Sequence, residues 1–373
     1  MRFRTPGTAG VLAGLLLVFL GAAAPAPSSW PLFRADAVQS GRAVGDLPAD
    51  PKPLWTFKTE KGIVSTAAIV DGAVYVGSKD GNLYALDLAT GKVRWSYKAT
   101  DEIKSSPAVR DGAVYFGDEG GTFHAVDAKT GAKRWTFKAG SGITASANFA
   151  PGCIAVGSYD QFIYCLAYKD GAVVWKVETD GYVHGTPAVA GDRVISAGCD
   201  GYLRVLSARD GKELKRVSMG GYVGASPAVA GNRLYVGNFE NEFLAVDLKT
   251  GKVLWRYEHA TRKFPFYSSP ALAEGAVIFG SRGKLIHALD PATGKERWTF
   301  AARSAVDASP AVAGKRVFAA DKSGELFALD TATGKAVWRF DLGAGVEASP
   351  AIAAGRLVVG ASDGSLYCFG AKK

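Results

Sequence analysis

Side chains able to do chemistry are few in this chain and widely spaced. The four histidines, His124, His184, His259 and His287, show no metal-ligand spacing, and Cys153, Cys165, Cys199 and Cys368 form no CxxC, no CxxCH and no adjacent pair. A zinc ribbon, a thioredoxin-like redox site and c-type haem attachment are therefore not indicated. No GxSxG occurs, and Gly343-Ala-Gly345-Val-Glu-Ala348 imitates a dinucleotide loop without opening a helix, so it reads as a connection between strands. What remains is one repeated position, two residues before the Ser or Thr of a recurring Ser-Pro-Ala. It holds Val64, Lys104, Thr144, His184, Gly224, Tyr267, Asp307 and Glu347. Lys104, His184, Asp307 and Glu347 could together make a small polar pocket with ligand-binding or acid/base capacity. The alternative, which the sequence favours, is a solvated lining in which opposite charges offset one another.

The elements that position this ring follow from a period. Seven of the eight tryptophans stand at 55, 95, 135, 175, 255, 298 and 338, and Lys215 occupies the place of the one missing from the gap of 80. Ser106-Pro107-Ala108 recurs five more times, down to Ser349-Pro350-Ala351, with worn copies at Thr66 and Ser146. A period near 40 signals a repeat architecture. Within one unit, 73–78, 82–87 and 93–97 are short runs rich in β-branched and aromatic residues, and Lys79-Asp80-Gly81 is a tight hairpin in which Gly supplies a positive φ. With the strand at Ser-Pro-Ala, each unit has four antiparallel strands. The fold expected is all-β, an eight-bladed β-propeller. The last unit lacks its Trp strand, and 54–58 supplies it from the other end of the chain, hiding two sheet edges.

Composition agrees with that reading and narrows the function. The 46 glycines and 11% aromatics suit turns and strands, and 48% hydrophobic residues allow a large core. The net charge of +9 is spread without a Lys/Arg-rich run, so no nucleic-acid partner is expected. Arg2 and Arg4, the apolar run 11–20 and the small residues after it have the layout of a secretory signal peptide. The expected organisation is a signal peptide at 1–24, a leader at 25–53, the propeller at 54–370 and a tail at 371–373. The chain is then exported to the periplasm or cell envelope as a monomer. No transmembrane span is expected in the mature part, nor a lipid-modified N-terminal Cys.

The run 75–95, YVGSKDGNLYALDLATGKVRW, resembles the PQQ-like repeat shared by quinoprotein dehydrogenases and by the BamB-like scaffolds of β-barrel assembly. The resemblance covers about 54–370, and Trp30-Pro31-Leu32-Phe33-Arg34 is similar to the segment that precedes the first blade in such exported proteins. It implies two functions. One is a non-catalytic protein-interaction scaffold with no cofactor. The other is a reduced dehydrogenase or binding protein with PQQ and Ca2+ at the axis, for which Asp307 and Glu347 resemble an acidic-x-x-Pro cofactor contact. Against the second stand Val64, where a carboxylate is expected, the absent Cys pair and the short loops. For the first, Tyr159, Tyr182, Tyr222, Phe239, Phe264, Phe266 and Tyr267 fall in loops on one face and are candidates for a partner-binding surface. Cys165 and Cys368 read as small buried thiols. Cys153 and Cys165 lie on neighbouring strands about two residues out of register, and whether they are bridged stays open.

Overall fold

The computed structural model describes residues 29–372 together with Met1; the expected signal peptide, Met1 apart, lies outside them. All regular elements among the described residues are strands, in eight four-stranded antiparallel sheets. Blades 1 to 7 span 68–98, 108–138, 148–178, 188–218, 228–257, 271–301 and 311–341, and each runs outward from the axis in chain order. Blade 8 takes three strands from 351–370 and its outermost from Lys52–Lys58. There Trp55 pairs with Cys368 and Lys58 with Ser365, so the ring is closed by antiparallel pairing of the chain's two ends.

Burial explains the patterning. A blade's inner strands are covered on both faces by its neighbours, so Ala73–Gly77 and its equivalent Ala113–Gly117 are buried throughout, without polar alternation. The outermost strand alternates, as in Val93–Lys98, because one of its faces meets solvent. Six of the seven repeat tryptophans donate their indole N–H to a turn carbonyl of the next blade, from Trp55 to Leu88 O through Trp298 to Thr331 O. The turn they dock on ends in a glycine. Gly131 has φ +73°, and a Cβ there would stand 2.7 Å from the Trp95 ring.

At the axis the Ser or Thr of each Ser-Pro-Ala forms a closed belt. Each hydroxyl oxygen accepts the backbone N–H of the equivalent residue in the preceding blade, at 2.8 to 3.2 Å, and the last bond runs from Ser349 N–H to Thr66 Oγ1. This is the physical demand behind the motif. The hydroxyl joins adjacent blades, and Pro, which has no N–H to offer, opens the short innermost strand.

The leader is part of the architecture. Three residues past the belt the innermost strands would present unpaired N–H groups. Carbonyls of Trp30, Pro31, Ala37, Val38, Ser40 and Gly41 accept them from Ile69, Val109, Val189, Val229, Leu272 and Val312. Between Pro31, on blade 2, and Arg34, whose guanidinium donates to the carbonyls of Pro270, Ser309 and Pro310 on blades 6 and 7, the chain crosses the axis and closes one end of the channel.

One open question is settled and one expectation corrected. Cys153 and Cys165 are joined by a disulfide within blade 3, with Cα atoms 5.5 Å apart. The register does set them diagonally, since Ala155 is the residue opposite Cys165, yet that Cα separation is inside the range a bridge needs. The reading of Cys165 as a free buried thiol is thus overturned, while Cys368 remains a buried thiol.

Candidate axial binding site

Because the innermost strands begin at the axis, the residue two places before each belt hydroxyl faces the centre. All eight of these residues line one cavity of about 550 Å3, with the belt also in its wall. Lys104, His184, Asp307 and Glu347, far apart in sequence, therefore share one space. Phe33 of the leader contributes to the lining as well.

A second ring completes the wall. At the tip of each inner hairpin one residue donates its backbone N–H to the loop entering that blade, as Lys79 does to Gly62 O, Glu119 to Glu102 O and Lys322 to Ala305 O. Lys79, Glu119, Tyr159, Arg282 and Lys322 reach the cavity from these tips. Sequence reasoning singled out only Tyr159 and Phe239 of this set, as surface aromatics. The same logic of equivalent repeat positions, applied to the hairpin tips, would have found the charged members.

The charged side of the cavity is largely matched. Lys104 Nζ lies 2.8 Å from Glu119 Oε2, and this bond raises the Lys104 pKa. Asp307, 8% exposed, receives Arg282 Nε at 3.0 Å and Lys322 Nζ at 2.9 Å, and Lys322 also lies 3.2 Å from Glu347. Between these charged groups His184 sits between two phenols, with Tyr159 Oη 2.5 Å from Nδ1 and Tyr267 Oη 2.6 Å from Nε2. Burial, helped by the Lys104 charge, pushes the His184 pKa down, so the neutral ring donates to one phenol and accepts from the other. Burial raises the pKa of both phenols.

The seven candidate aromatics divide into three groups. Tyr182, Tyr222 and Phe264 stand at the rim, 52%, 62% and 49% exposed, in the loops entering blades 4, 5 and 6. Tyr159, Phe239 and Tyr267 are half-buried beneath them. Tyr182 stacks on Tyr159 with centroids 5.0 Å apart, and Phe239 meets Tyr267 edge-on at 5.9 Å. Phe266 is not a surface residue. It is 1% exposed, packed edge-on against Phe279 and Phe243. The reason is its repeat position, immediately before the axial ring, where Ile103, Ile143, Val183 and Val223 are buried in other blades.

The resemblance to quinoprotein dehydrogenases implies calcium and PQQ at the axis. A calcium ion needs six to eight oxygens, with carboxylates free to coordinate it. Here each axial carboxylate already faces a lysine or arginine. Among the described residues no group of three His, Cys, Asp or Glu side chains could hold a metal. The residues do not fit that pair, and no chemical step is derived through it.

A model of the family described as Outer membrane protein assembly factor BamB matches residues 42–151, 139–263, 199–284 and 281–373. Comparison with curated proteins gives no match. Among solved structures, BamB from Moraxella catarrhalis aligns with TM-score 0.74 at 20% identity, covering 86% of this chain and 100% of that one. The computationally designed Ika8 protein gives 0.75 at 20%, with the same coverage. Quinohemoprotein alcohol dehydrogenase from Comamonas testosteroni gives 0.79 at 15%, covering 92% and 81%. At such identities structural likeness speaks for the fold alone, which an assembly factor, a designed protein and an enzyme share. The family matches, however, overlap without a gap from residue 42 to 373, and on that ground the chain belongs to the BamB family of PQQ-like β-propellers.

Proposed function

We propose that this chain is a non-catalytic, exported propeller that acts as a protein-interaction scaffold in the cell envelope, the assembly-factor role described for its family. The observation that carries the reading is the rim formed by Tyr182, Tyr222 and Phe264. These are three large aromatics about half or more exposed, in loops entering three consecutive blades. Such side chains bury much area for little entropy loss, and Tyr182 is already held by its stack on Tyr159, so binding there costs little ordering. Among the described residues no helix is long and apolar enough to cross a membrane.

The test is affinity capture from an envelope extract with the mature protein and with a variant carrying Tyr182→Ala, Tyr222→Ala and Phe264→Ala. One partner should be recovered with the parent and depleted about tenfold or more with the variant, since anchor residues each contribute upward of ~1 kcal/mol. An identical set of captured proteins would overturn the rim as the binding surface. Stoichiometric binding of PQQ with Ca2+, accompanied by dye-coupled alcohol oxidation, would replace the scaffold reading with the enzymatic one.

A further inference from the structure

We infer that the axial cavity beneath the rim is a binding site for a small hydroxylated anion, either a hydroxycarboxylate or a phosphorylated polyol. The first support is a surplus of donors. A Ser or Thr hydroxyl has one proton and two lone pairs. Each belt oxygen spends a lone pair on its neighbour's N–H. Among the described residues none of the eight hydroxyl protons has an acceptor on the protein. These residues are only 2 to 4% exposed and all line the cavity, so their protons can be accepted only by what fills it.

Charge is the second support. The three cavity carboxylates, Glu119, Asp307 and Glu347, are matched by Lys104, Arg282 and Lys322, which leaves Lys79 in the wall without an ion pair among the described residues. Below the floor Arg34 is fully buried and donates only to carbonyl oxygens. Burial lowers its pKa to about 9, and the nearby Asp36 carboxylate opposes that shift. Lys79 thus leaves the cavity wall with one positive charge more than its carboxylates. Water would satisfy the hydroxyls but would leave this charge uncompensated.

The hydroxylated character comes from the wall around Tyr159. Glu119 Oε1 is buried there without a hydrogen-bond partner, and beside it Thr144 reaches the Tyr159 hydroxyl. A carboxylate oxygen can only accept, so the occupant must bring a hydrogen-bond donor as well as negative charge, and a hydroxyl group supplies that donor without adding positive charge. The cavity volume of about 550 Å3 suits a small organic molecule, and the Tyr159, His184 and Tyr267 rings offer flat surfaces for its carbon skeleton.

The inference does not rest on the scaffold reading of the rim, and its test is calorimetric. Citrate, glucose 6-phosphate and glucose are titrated into the mature protein and into Lys79→Met, Lys61→Met and Thr144→Val. At least one of the two anions should bind once per chain, glucose should not, and the anion that binds distinguishes the two ligand classes. Lys79→Met should weaken binding about tenfold and Thr144→Val a few fold, while Lys61→Met, outside the cavity and paired with Glu102, should match the parent. The inference is overturned if neither anion binds at about 10 mM, enough to reveal a Kd near ~1 mM. It is also overturned if glucose binds as well as its phosphate, or if Lys79→Met and Thr144→Val, unfolding at the parent temperature, bind like the parent.

Discussion

His287, on the third strand of blade 6, shows how burial decides the state of a single ionisable side chain. It is 1% exposed, its ring stacks on Phe279 at 5.2 Å, and its nitrogens meet Tyr257 Oη at 3.2 Å and Ser281 Oγ at 3.0 Å. Burial, and then the neighbouring His259 and Arg262, drag its pKa from the ordinary 6.5 down to about 3. The folded protein therefore resists a proton that the unfolded chain accepts. The stabilising contribution is complete above pH 6.5 and is lost as the pH falls from there toward about 3. The parent Tm should drop across that window, and His287→Gln, which keeps a polar side chain but cannot titrate, should flatten the drop. The flattening is partial, because His184 is depressed in the same direction. An unchanged slope of Tm against pH would show that His287 does not carry the effect.

Among the elements, the unit of stability is the contact between one blade's outer strand and the next blade's turn. Trp95 covers Gly131, and Lys215, standing where a Trp is otherwise found, leaves room over Gly251. The two glycines have nearly the same φ, +73° and +76°, so an alanine at either meets the same backbone strain, of order 1–3 kcal/mol. A Cβ at residue 131 would in addition stand 2.7 Å from the indole, whereas at residue 251 the nearest atom is 3.5 Å away. Gly131→Ala should therefore cost about 1–3 kcal/mol more than Gly251→Ala in urea unfolding. Equal losses would mean that the indole yields without cost. Most of this was legible in the sequence, since spacing exposed the Trp positions, the turn glycines and the substitution at Lys215. Phe266 was read as a loop aromatic, although its place immediately before Tyr267 of the axial ring already makes it equivalent to Ile103 and Val223.

For the whole molecule two stretches of the N-terminal part do separate work. Lys52–Lys58 completes blade 8, while the segment ahead of it, held by buried Trp30 and Arg34, pairs with the innermost strands of six blades and closes the channel. Removing residues 25 to 60 strips both, baring a strand edge on blade 8 and the inner N–H groups below the belt. The truncated protein should self-associate in sedimentation and unfold about 10 °C or more below the parent. A truncated protein that stays monomeric and keeps the parent Tm would show that neither the clasp nor the floor supports the ring.

The sequence alone carried the architecture, because a propeller is specified by what is local and repeated: turn chemistry, a Pro before six of the eight innermost strands, an indole over a glycine. It also picked out the axial ring, since residues equivalent in every blade must face the same way. The content of the cavity was decided only by closure. Which cation meets which carboxylate, that Tyr159 and Tyr267 clasp His184, that Lys79 is left unmatched and that the leader crosses beneath them depend on the distance between side chains on different blades. No local pattern records that distance. The Cys153–Cys165 bridge is a like case, for register places the two cysteines diagonally and only the three-dimensional course of the strands brings their Cα atoms to 5.5 Å.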